Sequence, residues 1–303
     1  MALFSRTMKQ PAKRIRNLAA LLLMGLLIVM LLRWFERSQV YQPDRILSAT
    51  GAELGRPFDD IWFQTSDGVQ LNGWFFAAST NSSRTQLAVL VCHGNAGNIS
   101  QRLDLSGALL RAGVNVLLFD YRGYGRSAGR PSEEGTYLDA QAAHNWLQRR
   151  GFAPKNIIAF GESLGGGVAS GLALREPLGG LVLQSTFTSL PDIGAELFRW
   201  LPVRWIATIK YDTCARLPGL KIPVLVMHSR TDELIGFHHA ERNYALANEP
   251  KMFWELKGEH NDPLRDGEDF IRGMEKFLSV LETAVAPSPA ESPVSQAGRS
   301  KGG

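Results

Sequence analysis

An α/β domain built on a mostly parallel sheet with helices on both faces, preceded by one N-terminal transmembrane helix, is the fold class the sequence predicts. Three observations carry this expectation. From Leu87 onward, short runs rich in Val, Leu and Ile alternate with longer amphipathic runs, the rhythm of strand–helix–strand units. A serine flanked by glycines, in Gly161-Glu162-Ser163-Leu164-Gly165, stands between one such strand and a helix of small residues. Near the start of the chain, Leu18–Leu32 contains no charged residue.

Residues 1–17 read as a basic N-terminus and 18–35 as the span. The charge-free run is 15 residues. Arg16 and Arg33 can snorkel, and Trp34 and Phe35 suit an interface, so Ile15–Phe35 reaches the ~20 residues a bilayer requires. A cleaved signal peptide needs a small-x-small site directly after its apolar run. Here Arg33-Trp34-Phe35-Glu36-Arg37 follows, which points to an uncleaved signal anchor. Five basic residues (Arg6, Lys9, Lys13, Arg14, Arg16) precede the run, and three (Arg33, Arg37, Arg45) lie just after it. That imbalance predicts a cytosolic N-terminus and a domain on the outer, periplasmic or lumenal, side. Residues 36–59 read as a linker.

The net charge of +4 comes from the N-terminal segment. Residues 1–35 hold six Lys or Arg and no acid; the rest holds 27 basic and 29 acidic residues. A near-neutral domain has no electrostatic footprint for nucleic acid. Cys92 and Cys214 fit no C-x-x-C spacing, so no metal site, redox pair or cofactor is expected, and the position of Cys92 in an apolar run argues against a disulfide.

The domain is expected over residues 60–283. Asp60–Thr65 and Val69–Ala78 flank Ser66-Asp67-Gly68 as an opening hairpin. Strands follow at Leu87–Cys92, Asn115–Asp120, Asn156–Phe160, Leu181–Gln184, Pro223–His228 and Lys251–Leu256. Helices are expected at Ile99–Ala112, from Ser132 as cap to about Arg150, and at Leu164–Leu174, Phe237–Ala247 and Gly267–Val280. Residues 186–220 interrupt the alternation with aromatics and prolines, as a lid would. Residues 284–303 are expected to be a disordered tail.

The serine motif has a chemical reason for its spacing. A nucleophilic serine on a tight strand-to-helix turn is lifted clear of the sheet, and glycines two before and two after let strand and helix close around it. Among six histidines, His260 alone follows the last strand in a short polar loop, Lys257–Asp262. Asp232 follows the strand before it, with Glu233 as the neighbouring alternative acid. The order Ser163, Asp232, His260 then supplies nucleophile, orienting acid and general base. An oxyanion needs two backbone N–H donors: Leu164, after the nucleophile, and Asn95, or else Ala96, in the glycine-rich loop His93–Asn98. The absence of G-x-G-x-x-G and G-K-[ST] argues against a nucleotide in that loop.

These residues resemble the α/β-hydrolase family over roughly residues 60–281. His93–Asn98 (HGNAGN), Asp120–Gly129 (DYRGYGRSAG), Pro131–Ala140 (PSEEGTYLDA), Gln184–Asp192 (QSTFTSLPD) and Gly258–Asp262 (GEHND) are similar to its membrane-anchored bud-emergence-type (Bem-type) branch. The resemblance implies an eight-stranded, mostly parallel sheet, hydrolase chemistry and an anchored topology, and supplies no substrate; the reading taken from the residues is a serine hydrolase that cleaves an ester or thioester through an acyl-enzyme. The apolar lid of an anchored domain suits a small-molecule or lipid-like, acyl substrate. A membrane-anchored peptidase is the enzymatic alternative, and a non-catalytic binding protein on a hydrolase scaffold the alternative from another class. Arg122, Tyr124 and Arg126 are expected to brace the sheet near the site.

Overall fold

In the computed structural model of the chain, residues 9–262 and 264–285 are described. In chain order the elements are α1 (Lys9–Val40), β1 (Gln42–Pro43), β2 (Asp59–Gln64), β3 (Gln70–Phe76), β4 (Ala88–Cys92), β5 (Ala96–Gly97), α2 (Leu103–Arg111), β6 (Asn115–Phe119), α3 (Glu133–Arg149), β7 (Ile157–Glu162), α4 (Leu164–Arg175) and β8 (Gly180–Gln184). Then come α5 (Leu190–Leu197), α6 (Val203–Ile206), α7 (Thr213–Arg216), β9 (Val224–Ser229), α8 (Phe237–Leu246), β10 (Lys251–Leu256) and α9 (Gly267–Val285). The tail expected at 284–303 falls outside the described residues except for the last two of α9.

Eight strands form one sheet in the order β10-β9-β8-β7-β4-β6-β3-β2. Only β3 runs against the rest, pairing antiparallel with both β2 and β6. The central strands are apolar on both faces because both faces are covered. Along β4, Leu90 and Cys92 join a core layer containing Tyr137, Leu147, Val168 and Leu172 of α3 and α4. Val89 and Val91 face the opposite layer, with Leu109 of α2 and Phe270, Met274 and Phe277 of α9. The side-chain period of two thus reads both layers directly.

Local chemistry places the ends of the helices. The Ser132 hydroxyl accepts the Gly135 N–H at 3.1 Å and starts α3. The segment expected as one helix, Ile99–Ala112, divides into a 3-10 turn, Ile99–Arg102, and α2. Asn98 caps that turn through Ser100 N–H at 3.0 Å, while the Ile99 N–H is drawn to Asp120 Oδ1 at 2.9 Å. Cys92 and Cys214 are free thiols.

α1 is 32 residues, about 48 Å at 1.5 Å per residue. It is long and apolar enough to cross a membrane. The segment expected as a linker is packed instead. Residues 36–40 complete α1, and β1 pairs parallel with β5 inside the loop that follows β4. Glu36 takes the N–H groups of Thr208 and Ile209 at 2.6 and 3.0 Å, and Arg37 donates to the Pro131 carbonyl at 2.7 Å. These contacts rest on chain 54 to 173 residues distant, so no local pattern announces them.

Candidate active site

The centre of the site lies where the strand order reverses. From β4 the chain moves outward to β6, then crosses back to β7 on the other side of β4. The carboxyl ends of β4 and β7 therefore open a crevice, the usual ligand position in such sheets.

Ser163 occupies the turn between β7 and α4 with φ 53° and ψ −116°. A non-glycine residue held there carries about 1–3 kcal/mol of strain, which its surroundings must offset. Ser163 N–H donates to the Gln184 carbonyl at 2.9 Å, and the Ser163 carbonyl accepts the Thr186 hydroxyl at 2.6 Å. The two motif glycines are steric requirements. A Cβ at Gly165 would run into the Cys92 carbonyl oxygen and stand 2.8 Å from that of His93; one at Gly161 would lie 2.6 Å from the Gly165 carbonyl carbon.

His260 Nε2 lies 3.1 Å from Ser163 Oγ, and its Nδ1 lies 2.9 Å from Asp232 Oδ2. The other carboxylate oxygen, Oδ1, accepts the N–H groups of Leu234 at 3.0 Å and Ile235 at 2.7 Å. Burial pushes the Asp232 carboxyl up, but the hydrogen bond and charge of His260, the Ile235 amide and nearby His228 outweigh it and leave it below the usual carboxylate range. Glu233, the alternative acid, does not reach the ring: its Oε2 accepts the His260 backbone N–H at 2.9 Å and holds the loop. The structure thus brings Ser163, His260 and Asp232 into one hydrogen-bonded chain.

Leu164 is the first residue of α4, where an N–H has no intrahelical acceptor. Among the described residues the Asn95 N–H meets no backbone acceptor. Asn95, Ser163 and Leu164 line one cleft together. The Asn95 carbonyl is held from behind by the Tyr124 hydroxyl at 2.7 Å and the Gln42 N–H at 3.0 Å. Tyr121 likewise donates to the His93 carbonyl at 3.0 Å.

Sequence reasoning missed several of these supports. Arg102 links Glu162 of the serine motif, at 3.0 Å, to the Ala96 carbonyl, at 3.2 Å. Behind the loop Asp120 is wholly buried, 3.7 Å from His93 Nε2. Burial raises its pKa to about 7, against the lowering by the Ile99 N–H. Arg122 braces as expected, bonding Asp139 at 2.9 Å and Asp67 at 2.8 Å, and Arg126 reaches Asn72 at 3.1 Å.

From Ser163 the cleft runs along apolar side chains of the 186–220 insertion, among them Phe187, Ile193, Leu197 and Phe198, and reaches Leu234 and Ile235. Its remaining wall is the end of α1, from Leu32 to Val40.

Fold and site together define an α/β hydrolase. A family model described as the alpha/beta hydrolase fold matches residues 88–213. In fold the chain is similar to an esterase of Pyrococcus furiosus, with TM-score 0.64 and 24% identity over 80% of this chain and 98% of that one. A protein of Mycobacterium tuberculosis is 40% identical over 279 residues, covering 90% of this chain and 98% of the relative. Protein bem46 of Schizosaccharomyces pombe is 30% identical over 244 residues, 76% of this chain and 79% of its own. The chain belongs to the Bem46-like family of α/β hydrolases.

Proposed function

We propose that the protein is a membrane-anchored serine hydrolase that cleaves an acyl ester or thioester through an acyl-enzyme. The observation that carries the reading is the bond chain from Ser163 Oγ through His260 to Asp232, set at the mouth of an apolar cleft. Ser163 Oγ attacks the acyl carbonyl as His260 Nε2 takes its proton. The N–H groups of Leu164 and Asn95 stabilise the charge that develops on the carbonyl oxygen. Collapse of that intermediate expels the alcohol or thiol, which receives the proton from His260. Water, activated by the same imidazole, then releases the acid and restores Ser163. Asp232 keeps the ring in the tautomer with Nδ1–H throughout.

The cleft favours an acyl group with an apolar chain, and the esterase among the similar folds is consistent with ester chemistry. α1 serves as the anchor, with its N-terminus in the cytosol and the domain on the outer side, as the flanking charges favour. The test treats the full chain in detergent and its Ser163→Ala variant with a fluorophosphonate probe and with p-nitrophenyl esters. Labelling and turnover in the parent and neither in the variant support the reading. A folded parent that shows neither refutes it and favours a binding protein on a hydrolase scaffold.

A further inference from the structure

The anchor helix enters the site itself. Leu32, Arg33, Phe35, Glu36, Gln39 and Val40 of α1 line the same cleft as Ser163 and Asn95. This end of α1 is fastened to the lid segment rather than resting on it. Arg33 bonds the Ile206 carbonyl at 3.0 Å and the Thr208 hydroxyl at 2.7 Å, and the Phe35 ring meets Phe198 edge-on at 5.6 Å. Three large aromatics stand exposed where α1 leaves its apolar run: Trp34 at 70%, Trp200 at 76% and Trp205 at 91%. Tryptophans so placed suit the headgroup level of a bilayer, with one side apolar and one side wet.

We propose that the membrane-facing end of α1 is a specificity-determining wall of the substrate pocket, and that the pocket takes the acyl chain of a bilayer-resident ester or thioester directly from the membrane. This rests on the hydrolase reading above and adds the substrate's source and its measuring device. Val40 adjoins β1, which pairs with the loop that holds Asn95, so the Val40 end lies at the reacting carbonyl and the Leu32 end at the membrane. Leu32 to Val40 spans about 12 Å along the helix, the length of an extended acyl chain of about ten carbons. The cleft is polar at Asn95 and Ser163, and at Gln39 beside them, while Leu32, Phe35 and Val40 offer the chain an apolar strip over successive turns of α1. Arg33 and Glu36 also border the cleft, but their charged ends are taken up by Ile206, Thr208 and Ile209 of the lid segment.

The test uses the full chain in phosphatidylcholine vesicles and alkyl fluorophosphonates of two to sixteen carbons, in which Ser163 Oγ displaces fluoride. Each rate is normalised to the two-carbon probe of the same variant, and the variant-to-parent ratio removes the partitioning of the probe into lipid. In the parent, the rate rises with each methylene that lies against α1, by at most the about fourfold that full transfer from water would give. Leu32→Trp stops the rise a few carbons short of the parent's limit near ten, and Gln39→Trp stops it within the first few carbons. Leu32→Ala, a smaller perturbation, lowers the gain at the long end alone. A probe placed in the protein's own vesicles reacts faster than one supplied in separate vesicles. Variant profiles that track the parent at every length overturn the wall. Equal rates from the two vesicle populations overturn entry from the bilayer. Absence of labelling by even the two-carbon probe is a different outcome, and sinks the hydrolase reading itself.

Discussion

Replacing Asp232 by Asn tests the proposed roles in the triad through a single atom. The two oxygens of Asp232 have different duties: Oδ1 accepts two backbone N–H groups at 3.0 and 2.7 Å, and Oδ2 faces His260 Nδ1 at 2.9 Å. In Asp232→Asn the amide cannot turn its NH2 toward those two N–H donors. It must keep oxygen there and present NH2 to His260. The ring then has to accept at Nδ1, which moves its one proton to Nε2, facing Ser163 Oγ at 3.1 Å. An imidazole protonated at Nε2 cannot take the serine proton. Loss of the corresponding tautomer control in a serine protease lowers kcat about 10⁴-fold, or roughly 5 kcal/mol of barrier. The same drop is expected here in kcat and in fluorophosphonate labelling. The side chain is isosteric, so the melting temperature is expected to stay close to the parent's. An Asp232→Asn enzyme within tenfold of parental kcat would refute the assignment.

Other expectations follow from packing and burial. Gly165→Ala pushes a methyl group against the Cys92 and His93 carbonyls, where only backbone can give way. Overpacking of this kind costs about 1–3 kcal/mol, and the displaced loop is expected to lower kcat/KM about 100-fold. As a control, Gly107→Ala in α2 meets only Leu54, at 3.6 Å. It is expected to stabilise by about 0.5–1 kcal/mol, read as a rise of a few degrees in thermal melting. Asp120 has its folded pKa raised to about 7 from an ordinary 3.8. Its contribution to stability is therefore full below about pH 4 and is lost as pH rises toward 7. Asp120→Asn, with Oδ1 still accepting the Ile99 N–H, is expected to remove that loss; urea midpoints at pH 5 and pH 7.5 measure it, and an unaltered pH slope refutes it.

What was legible in the sequence follows from how local each cause is. Strands such as Ala88–Cys92 and Ile157–Glu162 are buried on both faces, so their apolar character is continuous and bounded by polar turns. The serine motif is legible in part because Gly161 answers a contact four residues away, at Gly165, whereas Gly165 answers the distant Cys92 and His93 carbonyls. His260 and Asp232 were found by their places after the last two strands, and the structure sets them 2.9 Å apart. By contrast, the division at Ile99–Arg102 depends on Asp120 and Glu162, which draw off the Ile99 amide and Arg102 from 21 and 60 residues away. Periodicity alone shows one helix there. The role of Tyr124 was read only as bracing; its hydroxyl reaches Asn95 across 29 positions, and no pattern in either segment announces the pairing.

The packed segment after α1 explains how a glycine-rich loop can offer a donor in a fixed direction. Left to itself, His93-Gly94-Asn95-Ala96-Gly97 has two residues of maximal backbone freedom and would lose much entropy on ordering. Two long-range partners impose the order. Tyr124 holds the Asn95 carbonyl from within the domain, and Gln42 holds the same oxygen from β1, just after α1. Asp44 N–H secures the far side of the loop through the Gly97 carbonyl at 3.0 Å. Pro43 lies between these two donors, at the position whose missing N–H leaves no bond of this pairing unmade. A chain that ended its helix early and crossed to the domain through a loose tether would retain the tyrosine but forfeit the β1 pairing. α1 and the His93–Gly97 loop therefore order together, and disturbance of α1 near Val40 is transmitted to that loop's backbone through two hydrogen bonds rather than through the length of a linker.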